Sequence, residues 1–127
     1  MTPYTDLRRE DFRATIDGTP TDLFTLRNRR GMAVRITNYG GKIVQILAPD
    51  RDGALGDVVQ GYETLEQTMA GQPSMGSFIG RYCGRIGGGR FTLEGVEHRT
   101  TVNAPPNTLH GGQRGSRFRT FAARPLD

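Results

Sequence analysis

The sequence has no tryptophan, only one cysteine (Cys83), and only one lysine (Lys42) among its 17 basic residues. A lone cysteine excludes an internal disulfide and any cysteine-rich zinc site. No run approaches the ~18 apolar residues of a membrane-spanning helix. The opening "MTPYTDLRREDF" lacks the apolar core of a secretory signal. The expected setting is therefore cytoplasmic, with no membrane partner. Long runs of Leu, Ala, Glu and Lys are missing, which argues against a helical bundle. No block of five or six like charges occurs. The net charge of +4 comes from scattered arginines interleaved with acids, a pattern of solvated surface rather than of a nucleic-acid groove. With 127 residues, 35% of them hydrophobic, the chain suffices for one domain with a modest core.

What is abundant is glycine, at 18 residues, set among short strand signals. Residues 1–22 are polar, with a possible edge strand and a turn at "DGTPTD" (17–22). "DLFTLRN" precedes "RGMAVRITNYGG", where Met32, Val34 and Ile36 alternate with Ala33, Arg35 and Thr37, the period of a half-buried strand. "KIVQILAP" forms a second strand, joined to the first through "NYGG" and closed by the turn at Asp50, Asp52 and Gly53. "DVVQGY" (57–62) reads as another strand and "ETLEQTMA" (63–70) as a two-turn helix stopped by Gly71 and Pro73. Phe91 and Leu93, the pair Glu94-Gly95, then Val96 and His98 spell a hairpin. "FRTFAARPLD" starts a further strand. Short strands spaced by turns predict an all-β fold.

The densest stretch is "IGRYCGRIGGGRF" (79–91), with three arginines and five glycines in thirteen residues. It is not a P-loop, because no Lys-Ser or Lys-Thr occurs in the chain. Gly87 and Gly89 begin a dinucleotide fingerprint, but Thr92 stands where its third glycine belongs, and a hairpin follows instead of a helix. Arg81, Arg85 and Arg90 with Tyr82 and Phe91 offer charge and stacking for RNA. The tract is single and flanked by apolar residues, however, unlike a repetitive arginine–glycine segment. Cys83 as a nucleophile would need a base partner, and the residue reads as inert packing. His98, between Glu97 and Arg99, reads as part of a solvated strand face. Asp50, Asp52 and Asp57 read as turn and strand-start residues. His110 in "NTLHGG" stands out, because Gly111 and Gly112 let the backbone turn tightly or approach a ligand. The residues alone leave it either a functional side chain or a histidine that caps a turn.

Five segments in order, "ITNYGGKIVQILAPD", "DVVQGY", "IGRYCGRI", "GRFTLEG" and "PPNTLHGG", resemble the aldose 1-epimerase (galactose mutarotase) family over roughly residues 24–121. The resemblance implies the N-terminal portion of a galactose-mutarotase-like β-supersandwich, with residues 23–127 as a partial domain truncated on its C-terminal side. It implies interconversion of the α and β anomers of free hexoses such as glucose and galactose, with no metal or nucleotide cofactor. In such enzymes a carboxylate base takes the anomeric hydroxyl proton while a histidine acid protonates the ring oxygen, and the ring opens, turns and recloses. Carried onto this chain, Arg85 matches the family's sugar-binding arginine and His110 its active-site "L-H-G-G" histidine. Gly84 stands where the family often has a sugar-contacting asparagine. The acid histidine, a sugar-holding aspartate and the base glutamate would lie beyond residue 127. The chain alone is therefore expected to be inactive. The rival expectation is a non-catalytic carbohydrate-binding or assembly module, either a homo-oligomer or completed by a second chain.

Overall fold

In the computed structural model, residues 4–126 are described. They form four small antiparallel sheets and one short helix. Strands β1 (Thr15–Ile16) and β2 (Thr19–Pro20) make a miniature hairpin. Its two turn residues, Asp17 and Gly18, both have positive φ, at +49° and +76°. That is the primed turn whose twist matches the flanking strands. The main sheet is a meander of β3 (Leu23–Arg27), β4 (Ala33–Thr37), β5 (Lys42–Pro49) and β6 (Leu55–Asp57). Helix α1 (Leu65–Ala70) follows. The chain then makes β7 (Arg85–Ile86), the hairpin β8 (Arg90–Leu93) and β9 (Val96–Arg99), and β10 (Thr108–Leu109), which pairs back onto β7. The architecture is all-β, as expected.

The alternation in β4 is real, but its face is not the apolar one. Ala33, Arg35 and Thr37 are buried, whereas Val34 and Ile36 are only half-covered. Arg35 and its neighbour Gln45 find partners in the N-terminal segment, which lies across this face. The Arg35 guanidinium donates to the Leu7 carbonyl at 2.9 Å and pairs with Asp6, and Gln45 Nε2 donates to the Thr5 carbonyl at 2.8 Å. Arg35 and Gln45 are cross-strand partners, and each retains one buried unpaired polar atom, Nε on one and Oε1 on the other.

A β-bulge accounts for the broken alternation of β5. Arg35 pairs with Gln45 and Ile36 with Ile43, so Val44 is the extra residue. Val44 and Gln45 are consequently buried side by side. Phe12, Leu23, Tyr39, Val44 and Leu65 form the core, with Leu7 and Ile16 packed against it. The polar N-terminal segment therefore contributes Phe12, which is fully enclosed.

Two segments differ from the sequence reading. The strand expected at "DVVQGY" lies earlier and keeps only Asp57. There, the Asp57 carboxylate accepts from the amides of Ile46 and Val59, and Val58 N donates to the Ile46 carbonyl, so the chain leaves the ladder. Gly61 then runs so close to the bulge that a Cβ on it would stand 2.0 Å from the Val44 carbonyl oxygen. This close approach explains the glycine of the segment. Over its described residues, "FRTFAARPLD" forms no full strand. A short 3-10 turn at Ser116–Phe118 delivers a single bridge, Tyr39 to Thr120, where Gly40 N donates to the Arg119 carbonyl and Phe121 N to that of Asn38. The helix matches its signals. The Thr64 hydroxyl accepts from Gln67 N, and Gly71 N closes the last turn on the Gln67 carbonyl.

Two cations are enclosed next to this bridge. Lys42 is 2% exposed, with Nζ 3.5 Å from the Thr68 carbonyl and 5.2 Å from the centre of the Tyr39 ring. Arg117 is 4% exposed and donates to Ser74 Oγ at 2.7 Å, leaving Nε unpartnered. Among the described residues neither belongs to an ion pair. Burial lowers the pKa of both, and Arg117 lowers that of Lys42 further.

Candidate functional site

The two-stranded sheet β7–β10 joins the segments that carry the sequence-derived candidates. Arg85 pairs with Leu109 and Ile86 with Thr108, which places Arg85 beside the residue preceding His110. His110 itself is tied to Gly84 twice. Its amide donates to the Gly84 carbonyl at 3.0 Å, and its Nδ1 accepts from the Gly84 amide at 3.1 Å. Arg85, His110 and Gly84, separated by up to 26 positions in the chain, thus form one cluster.

Local chemistry explains the placement. His110 has φ of +51°, in the left-handed region that few residues other than glycine enter, histidine being among those that do so more readily. Gly111 and Gly112 continue with φ of +79° and +77°, so the chain reverses sharply after Leu109. The loop before His110 is held by Asn103, whose amide side chain brackets Leu109 as a strand partner would. Its Nδ2 donates to the Leu109 carbonyl at 3.0 Å, and its Oδ1 accepts from Leu109 N at 2.7 Å. Thr108 is buried and donates to the Thr101 carbonyl at 2.8 Å, while its hydroxyl and that of Thr100 lie 2.6 Å apart. The Asn107 side chain accepts from Gly88 N at 3.2 Å. Neither Asn103 nor Thr108 stood out in the sequence. The signal available was a pair of asparagines flanking two prolines.

Arg85 is exposed, and among the described residues its guanidinium forms no ion pair. It presents a permanently charged fork of donors to solvent. Gly84 has φ of +77° and open space where a side chain would project. Cys83, read as inert packing, is instead exposed, with Sγ 3.8 Å from His110 Nδ1. Proximity to His110 in space, rather than anything in its sequence surroundings, gives it that position. Arg81 and Arg90 are exposed. His98 lies on the exposed hairpin and stacks on Phe91, with ring centres 5.2 Å apart. Within the cluster Arg85 is exposed, whereas Gly84 and His110 are half-buried. A groove of about 920 Å³ lies elsewhere, on the outer face of β3 and β4, lined by Phe24, Leu26, Ile36, Phe78 and Phe121. Among the described residues no helix is long and apolar enough to cross a membrane.

Comparison with known proteins gives consistent results. The family model described as aldose 1-epimerase matches residues 22–125. A galactose mutarotase from Rattus norvegicus is 40% identical over 98 residues, which cover 77% of this chain and 28% of that protein. An aldose 1-epimerase from Escherichia coli K12 is 33% identical over 99 residues, covering 78% of this chain and 29% of the other. A solved GalM/aldose epimerase homologue from C. elegans superposes with a TM-score of 0.77 at 25% identity, over 84% of this chain and 33% of its own. The chain therefore spans between a quarter and a third of the length of these relatives.

Proposed function

The chain belongs to the aldose 1-epimerase family, and we propose on that footing that it supplies part of the hexose site of a mutarotase, without turning over sugar by itself. The observation that carries this reading is the β7–β10 pairing, which sets Arg85 opposite Leu109, the residue before His110. Arg85 and His110 both offer hydrogen-bond donors. Donors of this kind suit sugar hydroxyls and a ring oxygen that gains negative charge as the ring opens. Anomer exchange also needs a carboxylate to take the anomeric proton and an acid to deliver one to the ring oxygen. No carboxylate of the described residues is hydrogen-bonded to Arg85 or His110.

Two measurements test the reading. Saturation-transfer NMR with galactose and glucose is expected to show weak binding that Arg85→Ala and His110→Ala each abolish; unchanged binding in both variants would remove the site. Polarimetry of freshly dissolved α-glucose is expected to show no rate gain from the chain alone, and a clear gain would overturn that half of the proposal.

A second reading, a non-catalytic module completed by another chain, is favoured by the uncovered apolar groove on β3 and β4. It predicts self-association or capture of a complementing chain. A monomer by light scattering, with no stabilisation by sugar, counts against it.

A further inference from the structure

We infer that the main-chain amide of Gly84 fixes His110 as its Nε2–H tautomer, so that the ring meets a ligand as a hydrogen-bond donor. An amide N–H can only donate. With Gly84 N 3.1 Å from His110 Nδ1, that nitrogen must present its lone pair. A neutral imidazole has one ring proton, so it resides on Nε2. The Cys83 thiol, with Sγ 3.8 Å from the same Nδ1, is also a donor when protonated and agrees with the assignment.

The backbone makes the arrangement rigid. His110 N donates to the Gly84 carbonyl at 3.0 Å, so ring and main chain are held by one residue from opposite directions. Both bonds offset the left-handed φ of +51° at His110, the sort of local strain that persists only where neighbours over-determine it. Gly84, at φ of +77°, turns its own amide towards the ring. Its amide is thus a positioning group, acting through His110 rather than on any ligand.

The consequence concerns recognition. Arg85 has donors and no acceptor, and His110 in this tautomer adds another donor. The pair therefore selects a ligand that presents lone-pair oxygens. That such oxygens belong to a hexose rests on the function proposed above; the tautomer itself does not.

The test is long-range 1H–15N NMR of the 15N-labelled chain without sugar. His110 is expected to show a pyridine-like Nδ1 and a pyrrole-like Nε2, with a scalar coupling across the hydrogen bond between Gly84 15N and His110 15Nδ1. His98, on the exposed hairpin, serves as the internal reference and is expected to show tautomer averaging. A pyrrole-like Nδ1, or averaging at His110 as at His98, overturns the inference. In Cys83→Ala the His110 pattern is expected to persist. Loss of the pattern in that variant would transfer the role to the thiol and overturn the assignment to Gly84. Because no sugar is present, this result is separate from any failure of hexose binding.

Discussion

At the scale of single residues, the turn at Glu94 carries avoidable strain. Glu94 and Gly95, with φ of +50° and +79°, form the primed turn between β8 and β9. A left-handed conformation costs an L-residue roughly 1–2 kcal/mol, which asparagine largely avoids through its short polar side chain. Glu94→Asn is therefore expected to raise stability by up to about 1 kcal/mol, read as a later midpoint in urea with an unchanged slope. Lys42 behaves differently. Burial, with Arg117 nearby, lowers its pKa from the ordinary 10.5. Between the folded value and 10.5 the unfolded chain binds more protons than the folded one. Stability therefore rises with pH across that window, and the penalty for the buried charge is fully present below it. Denaturation followed as pH is raised towards 10.5 is expected to show this climb. Lys42→Met is expected to flatten it and to gain stability at neutral pH, because an apolar chain of similar volume replaces an unpaired buried cation.

At the scale of elements, two contacts decide how segments lie. Gly61→Ala places a methyl group against the Val44 carbonyl at the β5 bulge. It is expected to cost about 1–3 kcal/mol, the usual range for overpacking, seen as a lowered thermal midpoint. Asn103→Ala leaves the Leu109 amide and carbonyl without their partner. A loss of about 1–3 kcal/mol is expected, with faster hydrogen exchange at the Leu109 amide. These elements also mark what the sequence makes legible. The β8–β9 hairpin is written in Glu94-Gly95, and α1 in Thr64 and Gly71, because both depend on neighbours in the chain. The bulge at Val44 is not visible, since the register of β4 against β5 is a tertiary choice. The early end of β6 escapes for a related reason, as Asp57 leaves the ladder by capping amides that only the fold brings near. For the cluster, Arg85, His110 and Gly84 are legible in the motifs that resemble the family's. Their double tie through Gly84, and the sulfur of Cys83 beside the ring, depend on pairing across 26 positions.

For the molecule as a whole, the two faces of the main sheet have different fates. One is covered by the N-terminal segment and the Phe12 core. The other leaves Leu26 at 61% and Phe78 at 57% exposed, with Phe78 and Phe121 edge-on at 6.0 Å. A continuous apolar surface of this kind is a docking or aggregation liability. The folded chain is expected to bind the dye ANS, and Leu26→Ser combined with Phe78→Ser to reduce that signal without loss of the far-ultraviolet strand spectrum. An unchanged signal would place the apolar surface elsewhere.

The chain's only lysine is also one of its most enclosed side chains, at the first position of β5. An amine-acylating reagent therefore finds no lysine on the folded surface, and each modification of Lys42 records an opening of the sheet around it. Followed by peptide-level mass spectrometry against time, the adduct on Lys42 is a built-in clock for the breathing of the core. It also means that immobilisation through lysine captures opened molecules, whereas coupling through the exposed Cys83 captures folded ones.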